Sequence, residues 1–128
     1  MPIARLDHVN IRTANLEAMI DWYDRILEMK TGPRPDFSFP GAWIYAGDIA
    51  AVHLVGVAKA PEPAGLQLEH FAFSATGMHD FVAHLAANGV AYTLDPVPGF
   101  PIVQVNLHDS DGNHIHVDFP EAEAEGLL

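Results

Sequence analysis

Two pairs of histidines share almost the same spacing. His8 and His53 lie 45 residues apart, and His70 and His116 lie 46 apart. The first member of each pair opens a similar segment, Leu6-Asp7-His8-Val9-Asn10-Ile11 in one half and Leu68-Glu69-His70-Phe71-Ala72-Phe73 in the other. The second members stand in Val52-His53-Leu54-Val55 and Ile115-His116-Val117-Asp118. Neutral imidazole is a ligand for divalent first-row ions, so four convergent rings would make a site for Zn, Ni, Fe, Mn or Cu. His79, His84, His108 and His114 lack matched partners. They read as ordinary polar residues, the last two exposed around a turn.

The elements that carry these residues recur in the same order. Ile3 to Ile11 has strand character, and Thr13 or Asn15 can cap a helix. Leu16, Met19, Ile20, Tyr23, Ile26 and Leu27 then form one apolar stripe, which Gly32-Pro33 ends. A short strand is expected at Arg34 to Phe39, then strands at Ala42 to Ala46 and Ala50 to Val57. After a Pro-rich connector the pattern returns: a strand from Leu66 to Ala75, a helix with Met78, Phe81, Val82 and Leu85, and strands at Val90 to Leu94, Ile102 to Leu107 and His114 to Phe119. The predicted order is βαβββ twice. Shifting the first half by 62 residues places His8 on His70 and Leu16 on Met78, and one extra loop residue brings His53 onto His116.

Strand alternation selects further wall residues, because side chains two apart share a face. Asn10 accompanies His8, and Asp118 and His114 accompany His116, where Asp118 could orient the ring by accepting a hydrogen bond. Gln104 and Asn106 share one face, although the sequence leaves open which face lines the site. Phe37, Phe39, Trp43 and Tyr45 are either apolar pocket walls or core. Asn10, Tyr45 and Asp118 are thus the candidate substrate contacts. Asp7 and Glu69 alternate away from the histidines and are expected in solvent or at an interface.

Composition narrows the functional classes. The chain has 128 residues, and each half is only about 60, a marginal size for folding alone. The halves are expected to share a core or to pair with another chain. Six Lys and Arg residues against a net charge of −11 disfavour nucleic acid and anionic membrane surfaces as partners. Zero cysteines remove disulfides and thiolate ligands. No apolar run is long enough to span a bilayer, and the N-terminus lacks a signal peptide's apolar core. The expectation is a soluble, cytoplasmic protein acting on a small molecule.

The segments Leu6-Asp7-His8-Val9, Glu69-His70-Phe71-Ala72-Phe73 and Gln104 through His116, with its Asp109-Ser110-Asp111-Gly112-Asn113 turn, resemble the vicinal oxygen chelate superfamily. That group includes glyoxalase I, fosfomycin resistance proteins, methylmalonyl-CoA epimerase, extradiol dioxygenases and bleomycin resistance proteins. The resemblance implies an α+β fold of two βαβββ modules forming a cup-shaped, curled mixed sheet with helices outside. It implies one glyoxalase-like domain: module one at about 1–58, a linker at 59–65, module two at about 66–120 and an acidic, frayed tail at 121–128. It places metal ligands at His8, His53, His70 and His116, and implies a homodimer with shared sites. The implied activity is a lyase, isomerase or dioxygenase in which a divalent cation acts as Lewis acid on a small oxygen-bearing substrate. The alternative is a non-catalytic sequestering protein of the bleomycin resistance type. There is one departure: metal-using relatives usually carry Glu where this chain has His116, and glyoxalase I usually has Glu near His53. Imidazoles at those positions neutralise the ion less, and remove a carboxylate that could shuttle a proton.

Overall fold

A computed structural model describes residues 4–62 and 67–128. Within-chain contacts divide the protein into two units, Met1–Ala64 and Gly65–Leu128. The expected strand starts at Ile3 and Leu66 and the end of the connector fall outside the described residues. Unit 1 contains β1 (Val9–Thr13), α1 (Leu16–Leu27), β2 (Lys30–Thr31), β3 (Gly41–Ala46) and β4 (Ile49–Gly56). Unit 2 contains β5 (His70–Ser74), α2 (Met78–Ala87), β6 (Thr93–Pro96), β7 (Ile102–His108), β8 (His114–Pro120) and a 3-10 turn at Glu121–Ala124. Each unit is a βαβββ arrangement with a four-stranded mixed sheet, ordered β1-β4-β3-β2 in one and β5-β8-β7-β6 in the other. The chain is therefore an α+β protein built on a repeated unit.

In both units the first and last strands lie side by side and parallel, β1 on β4 and β5 on β8. Parallel neighbours need a long crossover, and the helix with two further strands supplies it. Each sheet has one apolar face. In unit 1, Ile44, Val52 and Leu54 are essentially inaccessible, as are Met19, Tyr23 and Ile26 of α1. In unit 2, Val103, Val105, Leu107, Ile115 and Phe119 are buried, together with Met78 and Leu85 of α2. Each such side chain contributes roughly 1.5–3 kcal/mol on leaving water. The opposite faces carry the histidines.

Three expectations change. No strand forms at residues 34–39. The strand is Lys30–Thr31, directly after α1. Pro35 has no N–H for a ladder, and its carbonyl instead accepts from Phe37 N–H at 2.8 Å. Arg34 lies over the stacked Phe37 and Phe39 rings. His8 is not mid-strand, because β1 begins one residue later, and His70 is the first residue of β5. Both are exposed. The acidic tail is not frayed: Ala124 is buried, and Glu123 caps α2 from 46 residues away.

That cap has a physical reason. Gly77, before α2, has no side chain to satisfy the helix's first amides. The Glu123 carboxylate accepts from Gly77 N–H at 2.6 Å and from Met78 N–H at 3.3 Å, and its charge complements the helix dipole. Glu123→Ala should cost about 0.5–2 kcal/mol, the usual loss for a cap, while exposed Glu121→Ala should cost almost nothing. Paired denaturant melts check this, and equal losses would refute the cap.

Candidate metal centre

In unit 1 three rings form a continuous stack. His8 lies on His53 with centroids 3.8 Å apart and planes 10° from parallel, and Trp43 lies on the other side of His53 at 4.0 Å and 12°. Trp43 is there because β3 pairs antiparallel with β4 in a register that sets it opposite His53. The stack buries His53 although it stands on the open face of the sheet. A His53 ring nitrogen, Nε2, donates to the Ala50 carbonyl at 3.0 Å. An open cleft of about 480 Å³ lies beside the stack, with Arg5, Asp7, Asp48 and Ile49 on its walls.

The stack constrains metal binding. Imidazole binds an ion in the plane of its ring at about 2.0–2.1 Å. An ion in the plane of His8 is too far out of the plane of His53 to bond both. The two rings meet as expected but do not converge on one point in this geometry. One must turn before both can be ligands.

In unit 2 the rings are splayed. The centroid of His70 is 4.6 Å from His116 and 5.1 Å from His114. The turn preceding β8 sets their register. Asp109 Oδ1 accepts from the backbone N–H of Asp111 at 3.0 Å and of Asn113 at 2.9 Å, and Gly112 takes a left-handed φ of 89°. The resulting hairpin pairs His108 with His114, Asn106 with His116 and Gln104 with Asp118. Gln104 and Asn106 thus share the histidine face.

Carboxylates fix three of the rings. His8 Nδ1 bonds Asp7 at 2.8 Å, His116 Nδ1 bonds Asp118 at 2.5 Å, and His70 Nδ1 bonds Glu69. A carboxylate can only accept, so each ring donates from Nδ1 and, when neutral, carries its lone pair on Nε2. Asp7 and Glu69 stand in solvent as expected, but they do not turn away from the histidines. Both precede the first strand residue, so the pleat's alternation does not govern them. His114, expected to be exposed beside a turn, is half-buried and joins the cluster through Glu69 and Asn106. Its position two residues before His116 on one strand had already put it on that face. Of the other candidates, Asn10 is exposed on β1 opposite His53. Tyr45 donates its hydroxyl to the Pro33 carbonyl at 2.6 Å, which ties its polar end to the chain.

The hydrogen bond from His8 holds the Asp7 carboxyl below its ordinary range, and those from His70 and then His114 do the same for Glu69. Burial, followed by repulsion from His8, lowers the His53 pKa from its usual 6.5. Folding therefore favours neutral His53. As pH falls below about 6.5 the unfolded chain takes up that proton first, so stability is lost with acid. In metal-free protein, His53→Phe should keep the stack and reduce the fall in Tm between pH 7 and pH 5. An undiminished fall would show that His53 does not titrate in this way.

The comparisons with known proteins agree with this architecture. No curated protein matches the sequence. Among solved structures, a glyoxalase family protein from Bacillus anthracis is similar, with 22% identity over 94% of this chain and 98% of that chain and a TM-score of 0.77. Lactoylglutathione lyase from Agrobacterium tumefaciens matches with 15% identity, 95% and 98% coverage and a TM-score of 0.71. The trypanothione-dependent glyoxalase I of Leishmania major matches with 21% identity, 94% and 88% coverage and a TM-score of 0.64. At these identities the likeness concerns the fold. The family model for the Glyoxalase/Bleomycin resistance protein/Dioxygenase superfamily matches residues 5–117, nearly the whole chain, and the protein belongs to that superfamily.

Proposed function

We propose that the protein is a metal-dependent enzyme of the vicinal oxygen chelate type, with His8, His70 and His116 as ligands and His53 as a fourth once its ring turns. The observation that carries this reading is the set of three carboxylate–imidazole pairs. Metal-bound histidines commonly donate their second ring N–H to such an acceptor, which fixes the tautomer and raises the basicity of the ligating nitrogen. The donor set therefore fits a divalent transition ion, and an all-nitrogen set admits Zn, Ni, Fe or Cu, with Mn the hardest of the candidates. Bound there, the ion would supply Lewis acidity to adjacent oxygens of a small substrate, as in a lyase, isomerase or dioxygenase.

The chain's own residues would do the rest. Asp7, Glu69 and Asp118 hold the ligand rings. Trp43 backs His53 and offers an aromatic wall, and Asn10 lies on the same strand face as a polar contact. Asp118 would act on substrate only through His116. The set would be completed in a homodimer with shared sites, as the resemblance implies: His8 and His53 of one copy with His70 and His116 of the other. A sequestering protein of the bleomycin resistance type has no use for three tautomer-fixed imidazoles, which favours the enzyme.

Elemental analysis of protein purified without a polyhistidine tag should find about one divalent transition metal per chain. No metal, and no uptake on reconstitution at neutral pH, would refute the reading. With His114 also replaced by alanine, so that the neighbouring Glu69–His70–His114 cluster cannot hold the ion instead, His8→Ala and His116→Ala should each lose metal. Their isolated mixed dimer should regain one intact site of two, about half the wild-type content, whereas unchanged loss would exclude sharing. His116→Glu should keep a metal site and shift preference toward harder ions such as Mn²⁺. Unaltered content and preference in both His116 variants would remove His116 from the ligand set.

A further inference from the structure

His114 has a role that the proposed centre does not use. Asp95 Oδ2 accepts from Asn106 Nδ2 at 2.9 Å, and from the Thr93 hydroxyl at 2.7 Å. A carboxylate has no proton to give at neutral pH, so the Asn106 amide must turn its nitrogen to Asp95 and its oxygen the other way. That oxygen lies 2.7 Å from His114 Nε2. Nε2 is therefore the protonated nitrogen of neutral His114, and Nδ1 carries the lone pair. Nδ1 faces Glu69 Oε1 at 3.0 Å. In the neutral ring that lone pair faces a carboxylate, a conflict relieved either by a second proton on Nδ1, which then donates to Glu69, or by a metal ion in that proton's place. His70 bonds the other oxygen of the same carboxylate. Glu69, His70 and His114 each bring a ligand atom within 4.8 Å of the others. Tetrahedral ligands about 2.0–2.1 Å from an ion stand a little over 3 Å apart, so small movements close the set.

We propose that Glu69, His70 and His114 form a second divalent-cation site, confined to unit 2, with Asn106 orienting His114. One carboxylate with two imidazoles suits Zn²⁺. The feature belongs to this half alone. In the register of β1 on β4, the position equivalent to His114 carries Ala51, and the one equivalent to Asn106 carries Trp43. His70 is common to both sites. If it binds through Nδ1, its proton moves to Nε2, the atom the first centre would need. A neutral ring serves one ion at a time, so occupancy of the two sites is mutually exclusive at His70.

This inference does not depend on the shared centre, and the two can fail separately. The probe is Zn²⁺ titrated into metal-free, full-length protein at neutral pH. The variant His8→Ala/His116→Ala, which lacks two ligands of the first centre, should still bind one Zn²⁺ per chain. Adding His114→Ala should weaken that binding at least about tenfold, and Asn106→Ala about tenfold, through loss of ring orientation. Glu69 is 69% exposed, so Glu69→Gln provides a substitution that does not threaten folding, and it should match His114→Ala. If His8→Ala/His116→Ala binds no Zn²⁺, or if neither His114→Ala nor Glu69→Gln weakens it, the second site is refuted. If His114→Ala weakens Zn²⁺ binding in the otherwise native chain while His116→Ala does not, the second site stands and the first centre fails.

Discussion

The parallel pairing of first and last strands within each unit is the constraint on which the chemistry rests. Residues about 45 positions apart become neighbours because β1 lies on β4 and β5 on β8. The pairing also has to be in one register. A slip of one residue would turn every side chain to the other face, sending the imidazoles under the helix and exposing Val52, Leu54, Ile115 and Val117. The apolar faces oppose such a slip, since burial of those side chains beneath α1 and α2 depends on the same alternation. Packing energy on one side of each sheet thus holds the donor geometry on the other. In unit 2 the Asp109 turn adds a local lock, with three N–H donors converging on one carboxylate oxygen.

The two units use the same frame for different ends. Opposite the β4 histidine stands Trp43, and the result is an aromatic stack with His53 between two rings. Opposite the β8 histidine stands Asn106, and the result is a polar network running from Asp95 to Glu69. Stacked aromatic pairs add roughly 0.5–1.5 kcal/mol beyond burial, which favours this ring position. A hydrogen-bonded imidazole at a half-exposed edge is freer to exchange its partner for an ion. Unit 1 therefore resembles a platform and unit 2 a donor cluster, a division invisible from the repeat itself.

How far the sequence anticipated this depends on which physics set each feature. Element order followed from periodicity, because Met19, Tyr23 and Ile26 or Met78, Val82 and Leu85 have no alternative face to bury. The pairing of His8 with His53 and of His70 with His116 followed from the repeat. The strand at Lys30–Thr31 did not, because two residues carry too little pattern, and the left-handed Glu28 that ends α1 has φ 56° without a glycine to announce it. Asp7 and Glu69 were turned away from the rings because strand alternation was extended past the point where the strand begins, and the contacts of His114 with Glu69 and Asn106 escaped because cross-strand partners cannot be seen in a single segment. The capping by Glu123 spans 46 residues, and no local signal reports it.

The same carboxylates bear on the departure at positions 53 and 116. Relatives that place glutamate there put negative charge directly on the ion, and an all-imidazole set leaves it more exposed electrostatically. In this chain carboxylates stand one hydrogen bond behind the candidate ligands, at Asp7, Glu69 and Asp118. A carboxylate accepting from Nδ1 pushes electron density toward Nε2 and lies close enough to offset part of an ion's charge. The arrangement keeps neutral nitrogen at the contact and moves the compensating charge outward. The cost is that all three rings depend on neighbouring carboxylates, and two of those, Asp7 and Glu69, are largely exposed. Asp118, with its ring the most enclosed of the three, is the pair best protected from solvent. On that ground His116, the residue that departs from the family pattern, is held more firmly than the two histidines that follow it.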